Sequence, residues 1–302
     1  MGTFFIVGPT ATGKSEIAAE IACRVDAEII SADAFQIYRG LDRLTAKPEN
    51  TTLAKAPHHL LGAVPVTREM NVESFRVAAL EGIRDIQARG KHAIVAGGSG
   101  LYVKALTHGL SKLPAANPAL REELTQATGD ELFNRLRELD PTGAERIDRG
   151  NKQRLVRAVE VCLLSGQPFS AQRTEWANTH SAANGVFVFR ERAELYERID
   201  RRVEKMFAEG AVEEVRALGD LGSTAEKALG LREIRALLAG ETSETECIAK
   251  IQQATRRYAK RQLTWFQRQS TFEPLNLSLH GFSEATELIA QRARLAFAQM
   301  DD

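Results

Sequence analysis

Eight residues near the start of the chain constrain its fold more than any others. Gly8-Pro9-Thr10-Ala11-Thr12-Gly13-Lys14-Ser15 satisfies the pattern G-x-x-x-x-G-K-[ST] in full. The apolar run Phe4–Val7 before it reads as a buried strand. The stretch Ser15–Val25 after it reads as a helix, with Ile17, Ile21 and Val25 on one face. A strand, a glycine-rich turn and a helix in that order predict a loop whose backbone N–H groups curl around phosphate oxygens, helped by the field of the helix N-terminus. Gly8, Thr10, Ala11, Thr12, Gly13, Lys14 and Ser15 are therefore the expected diphosphate grip. Lys14 supplies a point charge, and the Ser15 hydroxyl can reach a magnesium ion, Mg2+. This is the nucleotide-binding, ATP-binding P-loop pattern, yet it does not say whether the phosphates belong to a nucleoside triphosphate. The bland alternative is a chance match in an ordinary strand-turn-helix.

The rest of the first third extends the pattern. Glu28–Ala32 predicts a second strand, Phe75–Ala88 a helix ended by Gly90, and His92–Ala96 a third strand followed by Gly97 and Gly98. Strands alternating with helices predict an α/β fold, a P-loop NTPase-like core with a parallel sheet and flanking helices. From about Asn117 the pattern becomes helical. Asn117-Pro118 and Asp140-Pro141 each set a capping residue before a helix-starting proline. Asp130 is a candidate cap for a helix carrying Leu132, Phe133, Leu136 and Leu139, and Lys152–Leu164 predicts another helix stopped at Gly166. Strand character returns at Val186–Phe189. Long helices are predicted at Ala193–Leu218 and Glu244–Gln267, and the tail after Phe272 carries no clear pattern. The expected organisation is a catalytic core from 1–116 and 185–302, interrupted by an all-helical insertion domain at 117–184. The 302 residues, 43% of them hydrophobic, suffice for one large core and an appended unit.

Composition removes several classes. Forty basic residues balance forty acidic ones, so any basic surface must be local. The three cysteines, Cys23, Cys162 and Cys247, are far apart and read as reduced core thiols of a cytoplasmic protein. The Phe4–Val7 run is too short for a signal peptide, nothing approaches a membrane span, and the opening Met-Gly lacks the Ser or Thr that myristoylation needs.

Three further features point to chemistry. Asp33 follows the second strand, at the edge where open α/β sheets bind ligands; it reads as a metal ligand, a base or a turn cap. In the helix after Ala193, Arg202 shares a stripe with Leu195, Ile199 and Met206, while Asp200 and Glu204 point elsewhere. A guanidinium facing a core needs a partner; a diphosphate suits its forked donors, and a distant carboxylate is the alternative. Arg198 and Arg201 lie toward the flank of that stripe and read as solvated. Two helices also carry one-sided basic faces: Arg256, Arg257, Lys260 and Arg261 opposite Ile248, Ile251, Ala259 and Phe266, and Gln153, Arg154 and Arg157 outside Leu155, Val159 and Cys162. Two such faces in a neutral chain suggest a polyanion larger than a metabolite, although each alone is commonly a solvated face.

The chain resembles a family, the tRNA dimethylallyltransferases (tRNA isopentenyltransferases, or IPP transferases) of the bacterial type. The segments that carry the likeness include GPTATGKS at 8–15, ISADAFQIYRGLD at 30–42, TAKP at 45–48, PHHLLG at 57–62 and AGGSGLYVKAL at 96–106. NKQRLVRAVEV from 151, ERIDRRVEKM at 197–206, ALGLREI at 228–234 and RRYAKRQLTWF at 256–266 continue it. The resemblance implies that dimethylallyl diphosphate is the donor, that its diphosphate occupies the P-loop with Mg2+ at Ser15, and that no ATP is consumed. It implies that the acceptor is the exocyclic N6 amine of the adenine immediately 3′ of the anticodon, in tRNAs reading codons that begin with U. It makes Asp33 the general base, with Thr10 and Arg202 stabilising the leaving diphosphate. It assigns tRNA contacts to Asp33, Ala34, Phe35 and Gln36, to Ser99, and to Gln153, Arg154, Leu155, Val156 and Arg157, with the insertion clasping the anticodon stem-loop. A cytoplasmic monomer is expected. Ala34, Arg43, Leu44 and Leu231 depart from the family's usual residues. A small-molecule P-loop kinase, an adenylate isopentenyltransferase and a nucleotide-gated RNA-binding switch are the competing readings.

Overall fold

The computed structural model describes residues 1–111, 113–172, 183–269 and 271–301. Along the chain run β1 (Thr3–Val7), α1 (Lys14–Arg24), β2 (Ala27–Ser31), the single turn α2 (Asn50–Leu53), β3 (His58–His59), α3 (Val72–Ala88), β4 (His92–Gly97) and α4 (Gly100–His108). Five helices follow: α5 (Pro118–Gln126), α6 (Gly129–Leu139), α7 (Pro141–Arg146), α8 (Lys152–Ser165) and α9 (Phe169–Gln172). The last stretch holds β5 (Asn184–Phe189), α10 (Arg192–Ala208), α11 (Ala211–Arg216), α12 (Leu231–Leu238), α13 (Glu244–Gln269), β6 (Glu273–Asn276) and α14 (Phe282–Asp301). The chain divides into two compact units, Met1–Thr107 with Ala182–Asp302, and His108–Ser181. The division falls at His108, ahead of the Asn117-Pro118 signal. The expected insertion's residues 173–182 lie outside the described residues.

In the first unit six strands form one sheet in the order β3-β2-β4-β1-β5-β6. Each of its pairings is parallel, so helical crossovers cover both faces. Successive strand residues face opposite ways. Phe4, Ile6, Ile29, Ile94, Val186 and Val188 bury against Ile17 and Ile21 of α1 and Ile289 and Phe297 of α14. Phe5, Val7, Ile30, Val95 and Phe187 bury against Phe75 of α3, Tyr102 of α4 and Phe266 of α13. Strand order gathers the loops: the C-terminal ends of β2, β4, β1 and β5 are neighbours, so the four loops leaving them share one edge of the sheet.

The second unit has a small core of its own, with Leu124, Leu132, Leu136, Leu155, Val159 and Cys162 buried together. Its helices start as their capping residues dictate. Asn117, Asp140 and Asn151 accept from the backbone N–H groups of Leu120, Gly143 and Arg154.

Four sequence expectations need correction. Thr128, not Asp130, caps α6: its hydroxyl accepts from Glu131 N–H while the Glu131 carboxylate returns to Thr128 N–H. This reciprocal pair satisfies two donors at once. The helix expected over Ala193–Leu218 is two helices, because Gly210 at φ 91° ends the first and opens the second. The patternless tail forms β6, an edge strand of the sheet, and the twenty-residue helix α14. Of the three cysteines, Cys162 and Cys247 are buried, but Cys23 is exposed.

Candidate active site

The phosphate loop closes between β1 and α1, and its shape follows from two left-handed residues. Gly13 has φ 92°, which costs glycine nothing. Ala11 has φ 63°, a strained value for alanine and one that clusters at functional sites. Gly8 is required by closeness: a Cβ there would lie 2.1 Å from the Val188 carbonyl oxygen. Inside the loop, the buried Thr12 hydroxyl donates to the Pro9 carbonyl at 3.0 Å, and the Lys14 ammonium donates to the same oxygen at 3.2 Å. Burial pulls the Lys14 pKa down to about 8, against the attraction of Asp33.

Asp33 sits two residues beyond the end of β2. Its Oδ1 accepts from the backbone N–H groups of Phe35 (2.9 Å) and Gln36 (3.2 Å), so the turn-cap reading is correct as far as it goes. Both bonds use one carboxylate oxygen, and the residue also lines an open cavity with Lys14, Ser15, Ser31, Gln36 and His58. The apolar wall of that cavity includes Ala18, Ile29 and Leu61. The Gln36 amide donates to the carbonyls of Thr45 and Ala46, both at 3.1 Å. Ala34 and Phe35 pack against the core.

Arg202 reaches the loop from α10. It donates to the Thr10 hydroxyl at 2.8 Å and to the carbonyls of Thr45 (2.9 Å) and Ala46 (3.0 Å). Among the described residues no ion pair uses it, so the alternative of a distant carboxylate partner does not hold. Burial lowers its pKa, and Asp33 opposes that effect. Asp200, four residues from Glu204 on the same helix, is taken by Arg256 of α13.

Two cations at the loop escaped the sequence reading. Arg198, expected in solvent, is half-buried and donates to the Ala11 carbonyl at 2.7 Å. Arg190, just past β5, donates to the Thr12 carbonyl at 2.8 Å and pairs with Glu194. Long stems let guanidiniums at the flank of a stripe reach inward, which a wheel projection of Cα positions does not register. The signal for Arg190 was its place: β5 pairs with β1, so a residue ending β5 lies beside the loop ending β1.

The remaining residues spread over both units. The Ser99 hydroxyl accepts from Ala34 N–H at 2.9 Å, so it holds the Asp33 loop. On α13, Arg257, Lys260 and Arg261 are exposed, as expected, while Arg256 is committed to Asp200. In the second unit Gln153 and Arg154 are exposed. Leu155 and Val156 bury their side chains in its core, which leaves their backbone as the part open to a partner. Arg157 is tied to Glu160 at 2.6 Å and to the Pro114 carbonyl at 2.8 Å.

The IPP transferase family profile matches residues 36–269, more than half of the chain. The sequence is 42% identical over 290 residues to the tRNA dimethylallyltransferase of Akkermansia muciniphila, covering 96% of this chain and 97% of that one. It is 44% identical over 275 residues to the tRNA dimethylallyltransferase of a Caulobacter species, covering 88% and 89%. Among solved structures, the tRNA isopentenylpyrophosphate transferase of Bacillus halodurans aligns with a TM-score of 0.71 at 30% identity, over 100% of this chain and 99% of that one. A eukaryotic dimethylallyltransferase acting on tRNA aligns with a TM-score of 0.80 over 97% of this chain and 77% of its own; at 24% identity it speaks to the fold alone.

Proposed function

This chain belongs to the IPP transferase family, and from that premise we propose that it moves a dimethylallyl group from dimethylallyl diphosphate to tRNA. The acceptor is the exocyclic N6 amine of the adenine 3′-adjacent to the anticodon, in tRNAs that read codons beginning with U. Diphosphate is released and no ATP is consumed. One observation carries the reading: Asp33 shares a cavity with Lys14 and Ser15, while Arg202, with no carboxylate partner among the described residues, is fastened to Thr10 of the same loop.

The division of labour follows from charge. An adenine amine is a weak nucleophile because its lone pair is delocalised into the ring. Asp33 takes a proton from that nitrogen as the N–C bond forms, work worth about 10²–10⁴-fold. The allylic C–O bond breaks, and its electron pair leaves with the diphosphate. Lys14, the loop amides and the Thr10–Arg202 pair meet that developing charge without reorganising, because protein contacts already hold them. The apolar wall of Ala18, Ile29 and Leu61 suits a five-carbon chain beside the charged end. Mg2+ fits the donors present: the cavity offers the Ser15 hydroxyl, a second hydroxyl at Ser31 and the Asp33 carboxylate, hard oxygens of the kind this ion takes together with substrate phosphates. Ser15 would hold it, and it would neutralise charge on the diphosphate.

RNA contacts fall on the exposed Arg257, Lys260 and Arg261 of the first unit and the exposed Gln153 and Arg154 of the second, which on this reading grips the anticodon stem-loop. Ala34, Phe35, Gln36 and Ser99 lie beside the flipped base, whose unstacking costs a few kcal/mol. A cytoplasmic monomer completes the reading, with tRNA as substrate supporting the cytoplasm. The test is incubation with labelled dimethylallyl diphosphate and bulk tRNA without ATP, in parallel with AMP. Label in tRNA is expected. Label in AMP alone would remove RNA from the reading, and transfer that requires ATP would return the chain to the kinases.

A further inference from the structure

Gln262 lies on the buried face of α13, three residues after Ala259 and four before Phe266, and is 6% exposed. A carboxamide withdrawn from water must have both ends satisfied. Its Oε1 accepts from Thr10 N–H at 2.9 Å, and its Nε2 donates to the Gly98 carbonyl at 2.9 Å. One partner is a pure donor and the other a pure acceptor, so the amide can sit only this way round. Its two partners are 252 and 164 residues away along the chain. They belong to the loops that leave β1 and β4.

The contact extends along the helix. Trp265, one turn later, lies so close to Gly100 that a Cβ there would come within 2.4 Å of the indole. A Cβ at Gly98 would come within 2.4 Å of the Gln262 Nε2 and 2.9 Å of the Gly8 carbonyl oxygen. Gln262 and Trp265, positions i and i+3 of α13, thus face Gly98 and Gly100 respectively. Ser99 then accepts from Ala34 N–H, the residue after Asp33.

We infer that Gln262 is a positioning residue for the transfer reaction: its carboxamide fixes the separation between the phosphate loop and the Gly98–Ser99 loop, and through Ser99 it sets Asp33 relative to the bound diphosphate. It touches neither substrate. Its bond also removes Thr10 N–H from the set of loop amides that can reach phosphate, leaving Thr10 to act through its hydroxyl and Arg202. The inference rests on the transferase reading for its kinetic consequence, but its geometry stands on the hydrogen bonds alone.

Two substitutions test it. Gln262→Met keeps length and removes both hydrogen bonds. It is expected to stay folded, to lose about ten- to a hundredfold in kcat through misplacement of the reacting groups, and to keep the wild-type KM for tRNA. Gln262→Glu reproduces both bonds only when its carboxyl is protonated, because a carboxylate would face the Gly98 carbonyl. Its rate relative to wild type should therefore recover as pH is lowered, while that of Gln262→Met stays flat. A wild-type kcat in Gln262→Met, a loss that vanishes once normalised to folded protein, or identical pH profiles for the two variants would overturn the inference. If wild-type protein labels no tRNA, the functional reading fails first. Calorimetry with inorganic pyrophosphate then decides the positioning role: weaker binding by Gln262→Met supports it, and unchanged binding sinks it.

Discussion

Glu160 in the helical unit and Arg202 beside the phosphate loop are both charges withdrawn from solvent, and their surroundings differ. Glu160 is fully buried. It accepts a bidentate pair from Arg121 at 2.9 and 3.0 Å, a bond from Arg157 at 2.6 Å and the N–H of Asn117 at 2.9 Å. Burial pushes its pKa up, but these donors outweigh burial and hold it below the ordinary carboxylate range. Arg202 has a hydroxyl and two carbonyls, all neutral, and burial leaves its pKa depressed. A saturated charge does scaffold work and has no capacity left over. A charge held by neutral acceptors keeps its attraction for an anion, and here it is fastened to the phosphate loop. The same contrast runs along β2: Glu28 near its start is consumed by His59 and Arg89, whereas Asp33 beyond its end takes part in no ion pair among the described residues.

The largest effect is expected at Asp33. Asp33→Asn retains an oxygen to cap Phe35 and Gln36 but cannot take a proton. It should lose about 10²–10⁴-fold in turnover with little change in melting temperature. Wild-type turnover in this variant would reduce Asp33 to its turn. Next in size, Arg202→Ala should lower kcat by about 10²–10³-fold and weaken inorganic pyrophosphate binding. A variant whose only defect is thermal would mean that its three hydrogen bonds, not its charge, are what matter. Glu160→Ala is the opposite case: a loss of about 1.5–3 kcal/mol in urea unfolding, since Arg121 and Arg157 still reach water when abandoned. A folded-state pKa held low means that this stabilisation is complete above the carboxylate range and is lost as pH falls through it. Glu160→Gln should flatten that acid limb, and an unchanged limb would exclude Glu160 as its source. Smallest is the effect at Lys14. The protonated amine is the form that attracts diphosphate, so affinity for pyrophosphate without metal should fall as pH rises through about 8, by less than about tenfold per unit. Lys14→Arg, which stays charged, should remove that dependence; if it persists, the titrating group lies elsewhere.

What could be read along the chain was what short spacing encodes. The phosphate loop, the strand-helix alternation, Arg202 on an apolar stripe, Asp33 at a strand end and the caps at Asn117 and Asp140 each rest on residues within one or two turns of one another. Such signals arise from backbone geometry and side-chain period, which hold before any tertiary contact forms. Thr128 wins over Asp130 because a reciprocal box beats a single acceptor, and Gly210 breaks a helix whose apolar period continues across it.

Partners far apart along the chain were decided only when it folded. Gln262 sits in a stripe that could have flagged a polar residue in need of bonds, yet no spacing names Thr10 and Gly98 as the groups that supply them. Arg190 and Arg198 meet the loop because β5 lies beside β1 and α10 passes over it, and Glu160 gains Arg121 because α5 packs on α8, whereas Arg157 is its neighbour on the same helix. Sequence specifies which groups are short of a partner. Strand order and helix packing determine which partner arrives, because that depends on distances set by the whole core and not by any local stretch of it.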